Sequence, residues 1–193
     1  MNIEEIFINL NKWIDLNTNN PEYRYHKFND KISKDIVNKP IEKIQENKHI
    51  IQQEESEIRE LVEVLLTLPI RGRQNALEIG LGKYGGTHML WRQIFDNVTT
   101  IDFNGHRIKD FRKKNNLDYH SKFICADSNE WNTTKLLGNF YNFLFLDGDH
   151  IYDTIEKDYR NYKSFILPGG IIAFHDILSD YYGVKQFIQD LAD

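Results

Sequence analysis

Acidic and histidine side chains follow several short apolar segments from residue 76 onwards, a pattern that could hold a cation, bind hydroxyl groups or move a proton. These polar groups are Glu78 with the glycines after it, Asp102, Asp127–Ser128, Asp147–His150 and His175–Asp176. Asp and Ser often cap the helix that follows a strand, so any single member has a structural explanation. Their recurrence after successive segments favours a shared functional site.

The apolar segments alternate with amphipathic stretches, and this rhythm predicts the elements that position those side chains. Strands are predicted at Ala76–Ile79, Val98–Ile101, Phe123–Ala126, Phe143–Leu146 and Ile171–Phe174, and helices at Thr87–Phe95, Arg107–Asn115, Thr133–Leu137 and Tyr152–Phe165. Near-continuous apolar strands separated by helices are typical of a doubly wound, mainly parallel α/β sheet of Rossmann-like type. Because ligands bind outside the carboxyl ends of such strands, the predicted site lies at that edge.

Residues 77–87 read LEIGLGKYGGT, in which Gly80, Gly82 and Gly85 form the pattern G-x-G-x-x-G. A predicted strand precedes this glycine loop, a helix follows it, and Asp102 lies about twenty residues further on, where an acid can accept hydrogen bonds from ribose hydroxyls. These features suit NAD and S-adenosylmethionine (SAM) equally well. Glu78 disfavours an anionic pyrophosphate and complements the sulfonium and ammonium groups of SAM, although a partly buried Glu could also bond loop amides.

The same stretch resembles the first motif of class I SAM-dependent methyltransferases. The segment FLFLDGDHIYDTIEKDYRNYKSFILPGGIIAFHD is similar to a subgroup allied to sugar and macrolide O-methyltransferases and cephalosporin-hydroxylase-like proteins, where D-G-x-H-x-Y, G-G and H-D recur in this order. The resemblance covers roughly residues 50–190. It implies a class I methyltransferase fold that binds SAM through Glu78, Gly80, Gly82, Gly85, Asp102, Asp127 and Ser128.

The resemblance also implies a metal-assisted reaction. Asp147, His175 and Asp176 occupy positions that hold a divalent cation in related enzymes, and oxygen-rich ligands suit Mg²⁺ or another hard divalent ion. Such an ion lowers the pKa of a substrate hydroxyl. His150 falls where related enzymes place the catalytic base, so Asp147 and His150 are the catalytic candidates. Simpler roles stay open: Asp147 could cap the next helix, His150 could anchor its own loop, and His175 could be a core histidine.

The composition of the chain limits the kinds of partner that we expect. The chain of 193 residues has a net charge of -5, with basic and acidic residues intermixed, which is not the footprint of a nucleic-acid-binding protein. Cys125 is the single cysteine, so no intramolecular disulfide is expected. The acidic N-terminus does not resemble a signal peptide, and no apolar run reaches the length of a bilayer. We therefore expect a cytoplasmic protein that does not associate with membranes.

Two regions are predicted along the chain. Residues 1–50 are polar apart from positions such as Ile3, Phe7 and Leu10, which indicate a short amphipathic helix, and are interpreted as an accessory arm or cap. Residues 51–193 are interpreted as the SAM-binding domain, which opens with a helix over Ile51–Leu68. The class I fold normally ends in an antiparallel hairpin that this sequence does not show. The fifth strand is therefore expected at an edge that a second copy of the chain could cover, with a trimmed chain or a reduced relative as alternatives.

The leading hypothesis is a SAM-dependent O-methyltransferase, assisted by Mg²⁺, that acts on a hydroxyl of a small molecule or a saccharide. Two alternatives remain open. An NAD-type oxidoreductase would explain the glycine pattern but leaves Glu78 and the metal-like acids unexplained. A non-catalytic binding protein could also be built on a methyltransferase fold.

Overall fold

The computed structural model describes residues 2–18, 55–177 and 183–192. We number its elements in chain order. The strands are β1 Asn75–Ile79, β2 Asn97–Asp102, β3 Ser121–Cys125, β4 Tyr141–Leu146 and β5 Ile166–Phe174. The α-helices are α1 Ile3–Thr18, α2 Glu55–Thr67, α3 Gly86–Trp91, α4 Gly105–Asn115, α5 Trp131–Thr134, α6 Tyr152–Tyr162 and α7 Val184–Ala192. No described helix has the length and apolar character needed to cross a membrane.

The five strands form one parallel sheet in the order β3-β2-β1-β4-β5. Glu78 of β1 lies opposite Thr100 of β2, and Ile79 lies opposite Leu146 of β4. After β3 the chain crosses to the other side of β1, so the switch point of the sheet lies between β1 and β4. The carboxyl ends of β1, β2 and β4 therefore meet near the centre of one edge. The predicted Rossmann-like α/β fold is confirmed, and all five predicted strands are present.

Apolar side chains cover both faces of the sheet. One cluster joins Trp91, Phe143 and Phe145 to the apolar sides of α1 and α2, and the opposite cluster joins Leu77, Leu144 and Tyr162. In α1 the buried positions are Ile6, Phe7, Leu10 and Ile14, which recur at three and four residues. The first part of the predicted arm therefore contributes to the main core. Residues 19–50, and with them most of the arm, lie outside the described residues.

β5 begins earlier than predicted. The predicted fifth strand starts at Ile171, whereas β5 runs from Ile166 to Phe174 and includes Gly169–Gly170. The pairing with β4 shifts register between Tyr141 and Phe143, which marks a bulge that absorbs the extra residues. Within the part of the chain that the structure describes, β5 pairs with β4 alone and is an edge strand, as expected.

Candidate functional site

The glycine loop follows β1 and is built from left-handed backbone. Gly80, Gly82 and Gly85 have φ angles of 91°, 62° and 68°, a region that side chains other than glycine rarely adopt. Two of them are also packed tightly: a Cβ on Gly85 would overlap the ring of Phe111, and one on Gly80 would overlap the carbonyl of Asp147. The three glycines are thus required by a close-packed turn with left-handed backbone at the end of β1. In folds of this type ligands bind at this end of the strands.

Asp102 ends β2 beside this loop, as predicted, and is almost completely buried. Its Oδ2 accepts hydrogen bonds from the Leu81 amide at 2.9 Å and from Arg107 Nη1 at 3.0 Å. Its Oδ1 accepts from the Asn104 amide at 2.7 Å. The carboxylate therefore joins the glycine loop to the start of α4, and it already has three donors.

Glu78 is fully buried on β1 and belongs to a polar network inside the core. Thr100 donates its hydroxyl proton to Glu78 Oε2 at 2.6 Å, and His88 Nδ1 lies 2.8 Å from the Thr100 oxygen. Because the single Thr100 proton goes to Glu78, His88 Nδ1 donates its proton to the Thr100 oxygen, and His88 Nε2 lies 3.0 Å from the hydroxyl oxygen of Ser121. Glu78 Oε1 is buried without a hydrogen-bond partner among the described residues, so it keeps acceptor capacity next to the loop.

His88 is the histidine of this network, and the sequence did not single it out. Its sequence context indicates only a surface or packing residue, but it is fully buried and reaches three strands. Its ring also packs on Phe123, with centroids 4.7 Å apart. No spacing rule would have identified it, because its partners come from strands that only the fold brings beside α3.

Asp127–Ser128 follow β3 at the same edge. Asp127 is exposed and accepts from the Asn129 amide at 2.9 Å, while the Ser128 carbonyl accepts from the hydroxyl of Tyr162 at 2.9 Å. The loop is further attached to α6 through Asn129, which donates to buried Asp158 at 2.8 Å. Burial raises the pKa of the Asp158 carboxyl from 3.8 to about 6, against the opposing effect of hydrogen bonds from the side chains of Ser128 and Asn129.

The second group of predicted residues converges at the ends of β4 and β5. His175 Nδ1 lies 2.9 Å from Asp147 Oδ1, and His150 Nε2 lies 3.4 Å from the same oxygen. Asp176 Oδ2 is 3.4 Å from His150 Nε2 and 3.5 Å from His175 Nδ1. Asp176 holds a left-handed φ of 59°, which is uncommon outside glycine and marks a locally constrained backbone. Four side chains from two neighbouring strand ends thus share one small volume.

The charges in this cluster support one another. Burial alone would raise the pKa of the Asp147 carboxyl, but hydrogen bonds and charge from His150 and His175 outweigh it and lower that pKa below 3.8. Burial would likewise lower the pKa of His175, but the hydrogen bond and the charge of Asp147 raise it above 6.5. The cluster therefore favours an ionised Asp147 beside a protonated His175 when no cation is bound.

Asp147, His150 and His175 each offer one ligand atom, and these three atoms lie within 4.8 Å of one another, as in a cation site. The predicted ligand Asp176 adjoins them. The helix-cap alternative for Asp147 finds no support, because α6 begins after Ile151 with no side-chain cap. The adjacent Asp149 instead accepts from the backbone amide of His150 at 2.7 Å. The donor chemistry fits a divalent cation, with carboxylate and imidazole ligands mixed.

Residues 77–177 match the methyltransferase-domain family, a span of more than half of the chain that runs from the glycine loop to the end of β5. The chain belongs to this family. The match includes both groups of site residues, at Gly80–Asp102 and at Asp147–Asp176. No curated protein shows significant similarity to the methyltransferase.

Solved structures share the fold of this methyltransferase. Precorrin-8w decarboxylase of Methanobacterium thermoautotrophicum is 19% identical over 73% of each chain, with a TM-score of 0.54. The N-methyltransferase NodS of Bradyrhizobium japonicum is 19% identical over 70% of this chain and 80% of its own, with a TM-score of 0.51. An rRNA methylase of Streptococcus thermophilus is 11% identical over 70% of this chain and 77% of its own, with a TM-score of 0.52. Their names differ in the reaction and in the molecule acted on, so the fold does not identify what this methyltransferase modifies.

Proposed function

We propose that this methyltransferase transfers the methyl group of SAM to a hydroxyl oxygen of a small molecule or a saccharide, with a divalent cation at the ends of β4 and β5. The observation that carries the proposal is the cluster of Asp147, His150, His175 and Asp176 next to the glycine loop. A transfer to oxygen needs the hydroxyl proton removed, and this cluster offers both a cation site and a base.

The cofactor would lie across the glycine loop. Asp102 would accept hydrogen bonds from the ribose, and Asp127–Ser128 flank the expected position of the adenine. The spare oxygen of Glu78 fits a positively charged ligand, because a buried carboxylate without a second partner favours a cation nearby. A nucleotide pyrophosphate would meet that carboxylate unfavourably, which supports SAM over NAD.

The reaction moves a methyl group from the sulfonium of SAM to the acceptor oxygen, while the hydroxyl proton leaves. A divalent cation, when bound, supplies Lewis acidity that lowers the pKa of the hydroxyl. Asp147, His175 and Asp176 would hold it, and His150 Nε2 would accept the proton. Asp147 and Asp176, each 3.4 Å from His150 Nε2, would stabilise the imidazolium that forms when this nitrogen accepts the proton. Bringing oxygen and methyl carbon into line supplies much of the rate.

The first experiment is calorimetric titration of the chain with SAM, with its product S-adenosylhomocysteine (SAH), and with NAD. Saturable binding of SAM and SAH without NAD binding is expected. Hydroxylated small molecules and saccharides are then screened with SAM and with Mg²⁺ or Mn²⁺, and the methylated atom is identified by mass spectrometry and NMR. Binding of NAD alone, or methylation at nitrogen or carbon, would overturn the proposal.

The role of His150 has its own test, because this residue also offers an atom within 4.8 Å of those of Asp147 and His175. His150→Gln is expected to lose turnover while cation affinity and SAH affinity stay near those of the unmodified chain. If this variant instead loses cation binding, His150 is a ligand and another group takes the proton. Tyr152→Phe serves as the control, because Tyr152 bonds Asp190 at 2.9 Å rather than the cluster.

A further inference from the structure

Asp102, the proposed hydrogen-bond acceptor for the ribose hydroxyls, is paired with a side chain that would compete with the ribose for this carboxylate. Arg107 lies in the first turns of α4, and its Nη1 is 3.0 Å from Asp102 Oδ2. The Asp102 side chain is 2% exposed, whereas the Arg107 side chain is 31% exposed. The guanidinium therefore covers the outer side of a carboxylate that is otherwise enclosed by backbone.

The acceptor capacity of Asp102 limits what can bind there. A carboxylate has about four lone-pair positions, and Leu81, Asn104 and Arg107 use three of them. A ribose that donates both the 2′ and the 3′ hydroxyl needs two positions, and one is left. One of the existing donors must therefore leave when such a ligand binds.

Of the three donors, Arg107 is the one that can leave. The Leu81 amide belongs to the glycine loop, and its donation to Asp102 holds that loop against β2. Asn104 is the N-cap of α4, with its own side chain bonded to the Arg107 amide at 3.1 Å, so its backbone is held as well. The Arg107 guanidinium is on a flexible stem and its side chain is 31% exposed, so it can move into solvent, where water replaces its hydrogen bond to Asp102.

We infer that Arg107 is a gating residue for the cofactor: its ion pair with Asp102 occupies the ribose position, and the guanidinium swings outward when the ribose diol binds. This inference rests on the proposed function, in which Asp102 accepts from the ribose. Arg107 acts through Asp102 and thereby sets how tightly the cofactor binds. Arg107 also affects selectivity, because a ligand with one hydroxyl can use the remaining lone pair of Asp102 without displacing the guanidinium.

The test compares SAH affinities of the unmodified chain, Arg107→Met and Lys109→Met by calorimetry. Methionine keeps the apolar stem but cannot donate, so Arg107→Met is expected to bind SAH about three- to tenfold more tightly. Lys109→Met removes one positive charge from the same helix at an exposed position, and its SAH affinity is expected to stay within about twofold of the unmodified value. SAH is the probe because it lacks the sulfonium charge.

Two further readouts separate gating from a merely structural role. The gain from Arg107→Met is expected to shrink for the 2′-deoxy analogue of SAH, which needs one acceptor position. Raising NaCl from roughly 0.05 to 0.5 M is expected to tighten SAH binding to the unmodified chain and not to Arg107→Met, because salt screens the competing ion pair. If Arg107→Met folds poorly, Arg107→Lys takes its place: it keeps the charge without the planar fork and is expected to bind SAH more tightly than the unmodified chain.

Weaker or unchanged SAH binding by a folded Arg107→Met would overturn the gate and leave the proposed function intact. Equal gains for SAH and its 2′-deoxy analogue would do the same. Failure of SAH to bind to any of the proteins would overturn the proposed function, and the inference with it.

Discussion

The backbone of Gly80 lies directly against the carbonyl of Asp147, so close that a β-carbon on residue 80 would overlap its oxygen. This contact joins the glycine loop after β1 to the polar cluster at the ends of β4 and β5. The glycine loop and the catalytic candidates are therefore in direct contact through the backbone. A methyl donor in the first and an acceptor in the second would be held in fixed register.

Gly80→Ala is expected to lower the free energy of unfolding by at least about 3 kcal/mol, because it adds a steric overlap to an unfavourable left-handed backbone. Gly169→Ala is the matched control: its φ of 81° is close to the 91° of Gly80, but a β-carbon on residue 169 would meet no atom within 4 Å. That variant is expected to lose about 1 kcal/mol, from backbone strain alone. Urea denaturation of both measures the difference, and equal losses would contradict the close contact.

Thr100→Val is expected to destabilise the protein by about 2–4 kcal/mol, because Glu78 and His88 both lose a buried hydrogen-bond partner. Thr99→Val is the neighbouring control on the other face of β2, where one hydroxyl accepts from Tyr141 at 3.3 Å, and about 1 kcal/mol is expected. Denaturant unfolding of both variants provides the comparison. A loss from Thr99→Val as large as that from Thr100→Val would argue against the proposed network.

Asp158→Asn is expected to make the protein more stable at neutral pH. The pKa of Asp158 is raised from 3.8 to about 6, so the folded state binds this proton more tightly than the unfolded state does. The contribution of Asp158 is therefore fully present below pH 3.8 and is lost as the pH rises through about 6. The variant should gain nothing near pH 3.5 and at most about 3 kcal/mol above pH 7.

Unfolding free energies of Asp158→Asn measured across that pH range test the sign as well as the size. Asp153→Asn, in the exposed first turn of the same helix, is the control. It should lose a few tenths of a kcal/mol, roughly, because an acid there favours the helix N-terminus. A gain for Asp158→Asn that does not depend on pH would mean that burial of the charge is not the cause.

Asp147→Asn is expected to abolish tight binding of Mg²⁺ or Mn²⁺, because it removes the carboxylate charge that both histidines face. Asp149→Asn, two residues on, is exposed and, among the described residues, bonds only its own loop amides, so cation affinity should change by less than about threefold. Calorimetric titration with each cation gives both values. Normal cation binding by Asp147→Asn would remove it from the ligand set.

Local patterns in the sequence were enough to predict the parallel α/β fold, the strand ends and the glycine loop. They were enough because apolar runs, helical periodicity and left-handed glycines are set by neighbours along the chain. Asp102 and Asp147 were placed correctly at the sheet edge for the same reason, since the carboxyl end of a strand can be read from where the apolar run stops.

Contacts between distant segments could be decided only by the tertiary structure. His88 contacts Glu78 and Ser121 because α3 packs across β1, β2 and β3, and Asp102 accepts from the Leu81 amide, 21 residues away, because β2 ends beside the glycine loop. The extension of β5 through Gly169–Gly170 likewise depends on its pairing with β4, and no local sequence preference predicts the bulge in that pairing. Strand register and helix packing decide which side chains contact one another. Both depend on residues far apart in the chain, so local sequence patterns do not predict these contacts.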